Sequence, residues 1–357
     1  MSVAPAIPTP HPSGAARARA TPRTDLVTLL LATWFTSGLF LDAWAHNNVP
    51  ELETFFTAWH GVFYSGFVAT AGWVLWTCRA MLFTRRWDLS LIPVGYALSL
   101  VSLGAFALAG LGDMIWHEVF GIERSIDILF SPTHVALGAS MLVIVTTPVR
   151  SAWADRSPRP QQVLVAVGSV ALATTIVLLF LQYANAFDRT SVDVVVALTG
   201  IDEAETARLV SSIALTNVVL LMPLLMLAGR WRLPAGSVTL LYLPVAVLAG
   251  AVTGFANLDL LIGFIVAGIG VDLVVRWVRP TPDRPLRLRG FAALAPLITW
   301  TAYVTVAALT PPPVFLAPGA DVHPPEPMIE LYTGIPVVQA MLGLLVATML
   351  TLGRDEP

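Results

Sequence analysis

Residues 112–134 read GDMIWHEVFGIERSIDILFSPTH and interrupt long apolar runs in which ionised side chains are otherwise scarce. Three of them, Asp113, His117 and His134, are metal-ligand types. The surrounding chain decides the fold. Of its 357 residues 56% are hydrophobic and 12% charged, with a mean hydropathy of +0.75, against roughly 25% charged residues in soluble domains. This composition predicts an integral membrane protein in contact with the lipid bilayer. A helical span needs about 20 apolar residues, and about ten candidate spans follow, near 26–44, 57–77, 90–111, 132–147, 162–183, 211–229, 237–253, 258–275, 291–309 and 333–352. Backbone polar groups cannot stay unpaired in lipid, so these runs are expected as helices. None alternates as a barrel strand would. The predicted class is an all-α, polytopic membrane helical bundle.

The basic residues give the orientation. All 20 are arginine, and with the N-terminus inside and ten spans, 17 fall on inner segments. Only Arg124, Arg189 and Arg208 fall outside. The positive-inside rule then predicts an N-in, C-in, multi-pass protein of the cell inner or plasma membrane. The net charge of −3 gives no sign of nucleic-acid binding; the inner arginines suffice as topology determinants near anionic lipid. Residues 1–24, rich in Pro, Ala and Arg, are expected to be a disordered cytoplasmic tail. Residues 25–353 are read as a single transmembrane domain whose first apolar run is a retained helix, and 354–357 as a C-terminal tail. Cys78 is the single cysteine, which excludes an intrachain disulfide and any multi-cysteine metal site.

Residues 38–66, GLFLDAWAHNNVPELETFFTAWHGVFYSG, repeat the opening pattern. Asp42 and His46 are four apart and His60 follows; Asp113 and His117 are four apart and His134 follows. Each copy carries Gly-Leu, then Asp-x-x-x-His enclosing a tryptophan, then a loop, then a histidine at the head of the next helix. A duplicated helical hairpin is therefore expected over 25–80 and 89–150, pairing helices 1–2 and 3–4. Both copies run outward and back, so they are parallel repeats, a relation commonly built on an axis along the membrane normal. Residues four apart share a helical face. Ser131 is the expected N-cap and Pro132 a first-turn residue, which places His134 in that turn.

Four of the six histidines and two aspartates thus gather at one outer end. Ionisable groups near lipid are costly and usually mark function, so Asp42, His46, His60, Asp113, His117 and His134 are assigned as metal ligands. Imidazole and carboxylate suit a transition metal ion, copper, iron or zinc. Each aspartate either ligates or orients a histidine by accepting its N–H. The number of ions stays open at this point: one per repeat, a shared pair, or one on the axis.

His323 in an outer proline-rich loop, with Gln182, Tyr183 and Asn185 at the end of helix five, are accessory candidates for the cavity. The segment 186–210, with IDEAETARLVSS at 201–212, is expected to carry a short surface helix. Asn257 and Asp259 read as turn and cap residues, Asp272 and Arg276 as a helix-face ion pair, and Asn217 and Gln339 as interhelical hydrogen-bonding residues.

At DAWAHNN…WHGVFYSG and GDMIWHEVFGIE…SPTH the chain resembles uncharacterised multi-pass membrane proteins of high-GC Gram-positive bacteria, a resemblance that implies no activity. The Asp-x-x-x-His followed by a histidine also resembles the metal trio in the C subunit of the particulate methane and ammonia monooxygenases. That resemblance implies copper ligation by Asp42, His46 and His60. The longer spacing to His134, the duplication and the ten spans depart from that family. The functions to be weighed are a copper or di-iron oxidoreductase acting on a lipophilic small molecule, a zinc hydrolase in which Asp42 or Asp113 acts as base, a non-enzymatic metal carrier or sensor, and a purely structural subunit. Sites of alternating-access transporters sit near the midplane, which counts against transport here.

Overall fold

The computed structural model describes residues 17–49, 56–84, 88–121, 129–281, 283–310 and 328–353. Its regular structure among these residues is helical: α1 Pro22–Asn48, α2 Ala58–Thr77, α3 Arg79–Thr84, α4 Ala97–Phe120, α5 Pro132–Val145, α6 Thr147–Ala152, α7 Pro160–Phe180, α8 Ser191–Ala197, α9 Glu203–Ala228, α10 Ser237–Val252, α11 Leu258–Val278, α12 Pro285–Ala308 and α13 Ile329–Leu350. The starts follow local chemistry. Thr21 accepts from the Thr24 N–H ahead of Pro22, Ser131 accepts from the His134 N–H ahead of Pro132, and Asp202 accepts from Ala204 and Glu205. Each relieves an orphan donor of the first turn.

Seven helices, α1, α4, α7, α9, α11, α12 and α13, are long and apolar enough to cross a membrane. The other three expected spans are helical as well. However, α5 and α10 are short, with 14 and 16 residues, and α2 carries a histidine, a tyrosine and three tryptophans that dilute its apolar character. Outward faces are apolar. On α4, Leu98, Val101, Leu108, Leu111, Ile115 and Val119 form an exposed stripe at helical spacing, a surface that suits lipid and not water. The architecture is that of a multi-pass membrane protein.

Two cores hold the bundle. One joins α1, α2, α4 and α5 with one face of α7. The other joins α7 with α9 to α13 around Phe187, Phe264, Trp300 and Tyr303. Between them, Phe40 and Ala43 of α1 meet Leu179 of α7 and Leu248 and Val252 of α10. Asn48 also donates to the carbonyls of Ala251 and Val252, tying the end of α1 to the end of α10.

Several boundaries differ from the sequence reading. The third span is shifted: Leu89–Leu91 form a 3-10 turn, Gly95 takes φ +91°, and α4 starts at Ala97 and runs through Asp113 and His117. The span therefore ends later than expected, and Asp113 and His117 share a face of the same helix, as their spacing implies. IDEAETARLVSS does not form a separate surface helix, because Asp202 caps a helix that continues to Ala228; the short helix of this segment is α8. Asp272 does not serve as an ion-pair partner of Arg276. Its carboxylate accepts from the Val238 and Thr239 N–H groups and the Thr239 hydroxyl, at 3.0, 3.0 and 2.7 Å, and so caps α10 from α11. Within the segment expected to be a disordered tail, Ala18 exchanges backbone hydrogen bonds with Ser90 and Val94, and α1 begins at Pro22.

Asn217 does bridge helices, accepting from the Trp300 indole at 3.1 Å and donating to the Gln339 carbonyl at 3.4 Å. Asn257 precedes α11 and donates to the Phe187 carbonyl, and Asp259 accepts from Ser191.

Candidate metal centre

Close backbone packing sets α1 against α2. A Cβ on Gly38 would lie 2.5 Å from the Phe63 Cα, and one on Gly66 would lie 2.6 Å from the Phe35 Cα. Only glycine permits this approach at both crossings. One turn beyond Gly38, Asp42 reaches across to the first turn of α2, where His60 sits. Its Oδ1 is 3.3 Å from His60 Nε2, and its Oδ2 is 3.8 Å from His46 Nε2.

On α4 and α5 the arrangement recurs. Asp113 Oδ1 is 3.3 Å from His134 Nε2, and Oδ2 is 3.5 Å from His117 Nε2. In each group a carboxylate is straddled by two imidazoles, one per oxygen. Within each group, one candidate ligand atom per residue lies within 4.8 Å of the others. Bonds of about 2.0–2.2 Å to one tetrahedral ion place ligand atoms roughly 3.4 Å apart, so both groups are close to the spacing a metal ion requires.

The opposite ring nitrogens are also placed by the chain. Thr57 and Ser131, the N-caps of α2 and α5, accept the His60 and His134 backbone N–H groups, and their hydroxyls lie 3.3 and 2.8 Å from the Nδ1 atoms of these histidines. His117 Nδ1 faces the Gly121 carbonyl at 3.4 Å. A carbonyl can only accept, so this contact suits an Nδ1–H, with Nε2 turned to Asp113 Oδ2. An acceptor facing a carboxylate is favourable only with a proton or a metal ion between them. This second contact is how proteins fix the tautomer of a ligating histidine.

The groups differ in their surroundings. The Asp113 side chain is 2% exposed against 15% for Asp42, and Asp113 also accepts from the Thr133 hydroxyl at 2.8 Å. The corresponding neighbour of His60 is Trp59, which has no hydroxyl. Tyr64, one turn after His60, lies against Gly110 of α4, where a Cβ would come within 3.0 Å of its ring. The equivalent position after His134 is Gly138, whose missing side chain makes room for the Phe180 ring.

One cavity of about 560 Å³ joins the two groups, lined by Asp42, His46 and His60 from the first and by Asp113 and His134 from the second. Leu39, Phe63, Leu137, Met141, Leu179 and Phe180 make much of the remaining wall. Below it Phe35 and Phe106, each two turns before its aspartate, pack edge to face at 5.0 Å and close the space between α1 and α4.

Of the accessory residues, Gln182 and Tyr183 line the cavity, and Gln182 donates to Asn47 at 3.2 Å. Asn185 is buried behind the wall and donates to Asp188, which does line it. This rim is fastened to the second core by Tyr303, which donates to the Ala186 carbonyl, and by Thr216, which accepts from the Ala186 N–H. Asp188 lies outside the spans, and burial raises its carboxyl well above the usual range against the opposing Asn185 hydrogen bond. His323 lies outside the described residues. Tyr64, Thr57 and Thr133 were not singled out from the sequence, although a Ser or Thr three residues before the histidine is common to TAWH and SPTH.

Fold and site together define a multi-pass helical membrane protein carrying two His/Asp groups suited to hold a metal ion. Comparison of the chain with protein-family models, with curated proteins and with solved structures finds no match.

Proposed function

We propose that the protein is a membrane-embedded metalloenzyme in which Asp42, His46 and His60, and separately Asp113, His117 and His134, each hold a copper or iron ion for the oxidation of a lipophilic substrate. The observation that carries this reading is that both groups open on one cavity whose wall is otherwise largely apolar. Two histidines and one carboxylate with positions left open form the ligand set of non-haem iron oxygenases. The copper alternative rests on the resemblance of Asp42, His46 and His60 to the monooxygenase trio. A bound copper or iron ion supplies redox chemistry that no side chain on the wall offers. The chain itself orients the imidazoles through Thr57 and Ser131, seats an apolar substrate against Leu137, Met141 and Leu179, and meets its polar end with Gln182, Tyr183 and Asp188.

The same proposal includes ten spans with both termini inside, a plasma-membrane location and the site on the extracytoplasmic face. The arginine distribution supports the orientation. The matching 3.3 Å contacts in α1–α2 and α4–α5 support descent of the two hairpins from one duplicated unit.

Elemental analysis of detergent-purified protein beside the His46→Ala/His117→Ala variant tests the reading, with helical content measured in both. Stoichiometric copper or iron, lost in the variant, is expected. Zinc would redirect the assignment to hydrolysis, for which three protein ligands and an open position are equally suited. Absence of metal after metal-replete expression would overturn it.

A further inference from the structure

A second cavity, of about 970 Å³, lies at the other end of the bundle between α6, α7 and α9. It is at the large end for a small-molecule pocket. Val170, Ala173 and Val177 of α7 face Val218, Val219 and Met222 of α9 across it. Among the described residues, Arg150 is the one charged residue of its wall, and Trp153 also lines it.

Arg150 has no carboxylate partner among the described residues. Its Nη2 donates to the Ser99 hydroxyl, the Val143 carbonyl and the Thr147 hydroxyl, all neutral, and its Nε is shielded without a hydrogen-bond partner. A second cation stands against Trp153, outside the lining itself. The Arg230 guanidinium lies 5.2 Å from the centre of the Trp153 ring and donates to the Trp153 carbonyl at 2.8 Å. Asp155, the nearest acid in sequence, uses its carboxylate on the Ser157 N–H. Two cations with no anionic partner among the described residues, on either side of a tryptophan that lines an apolar groove, complement one class of molecule in particular. Arginines at the membrane surface attract anionic lipid, and basic pockets between helices on the cytoplasmic side take acidic lipid headgroups.

We propose that this groove binds an anionic phospholipid, with its headgroup beside Arg150 and Arg230 and an acyl chain along Val170, Ala173, Val177 and Val219. The site is separate from the His/Asp cavity and does not depend on its metal.

Native mass spectrometry of the full chain, equilibrated with phosphatidylglycerol and phosphatidylcholine of identical acyl chains, provides the test. The wild-type protein is expected to retain phosphatidylglycerol in preference. Arg150→Gln and Arg230→Gln should each lower that retention about fivefold and leave phosphatidylcholine unchanged. Arg230→Gln does not touch the bonds to Ser99 and Thr147, so its effect separates lipid binding from folding. Val177→Trp fills the groove away from both arginines and should lower retention of both lipids. Equal retention of the two lipids by the wild type would overturn the proposal. So would a preference that survives both arginine variants, or a Val177→Trp protein that binds as before.

Discussion

His134 Nε2 stands 3.3 Å from Asp113 Oδ1 while its Nδ1 stands 2.8 Å from the hydroxyl of Ser131, the residue that also caps its helix. One side chain therefore starts α5 and aims the ligand. Ser131→Ala is expected to cost about 1 kcal/mol of stability and to weaken metal binding at the second group by about 10–100-fold. Thr133→Val removes the hydroxyl on Asp113 and should weaken the same group alone. Chelator competition and thermal unfolding read these effects, and Ser131→Thr should restore both.

Gly38→Ala places a methyl against the Phe63 backbone, where no side-chain rotation relieves it. Overpacking of this kind costs about 1–3 kcal/mol. It should also move α2 from α1, lengthen the Asp42–His60 contact and lower metal occupancy at the first group, leaving the second unchanged. Thermal unfolding with metal analysis of each variant measures both consequences.

Asp272 holds the head of α10 through three accepted hydrogen bonds, while Arg276 is exposed. Removing a buried charged acceptor leaves two backbone donors to find new partners. Asp272→Ala is expected to destabilise by about 2–3 kcal/mol, and Arg276→Ala by less than about 0.5 kcal/mol. Equal effects on the unfolding midpoint would restore the ion-pair reading.

Asp188 carries a pH dependence of known sign. Its folded carboxyl titrates well above the unfolded value near 3.8 because burial disfavours the charge. The penalty is absent at low pH and grows as pH rises from the unfolded value through the folded one. Asp188→Asn should therefore raise the unfolding midpoint more at pH 8 than at pH 5. A larger gain at pH 5 would contradict the assignment.

Much of the site is legible in the sequence because its spacing is local. Asp and His four apart must share a face, and the Ser131 cap places His134 in a first turn, whereas the Thr57 cap before His60 emerges only from the structure. The start of α4 is not legible in hydropathy alone, since Leu89–Leu91 are as apolar as a span and only Pro93 and the positive φ of Gly95 break the helix there. Asp272 looks like a partner of Arg276 by the four-residue rule, but its acceptors are used by α10, some 34 positions away. The contact between α1 and α4 is equally non-local: Phe35 and Phe106 meet only when the two helices are packed, although each stands seven residues before its aspartate. Tyr64 gains significance only through Gly110 opposite it.

The measurement closest to the central claim is the number of metal ions per chain in the wild type, Asp42→Ala and Asp113→Ala proteins, each purified under identical metal-replete conditions. Two separate His/Asp groups predict two ions in the wild type and one in each variant. A single ion lost from both variants would mean one shared centre, and a metal content untouched by either substitution would contradict the account.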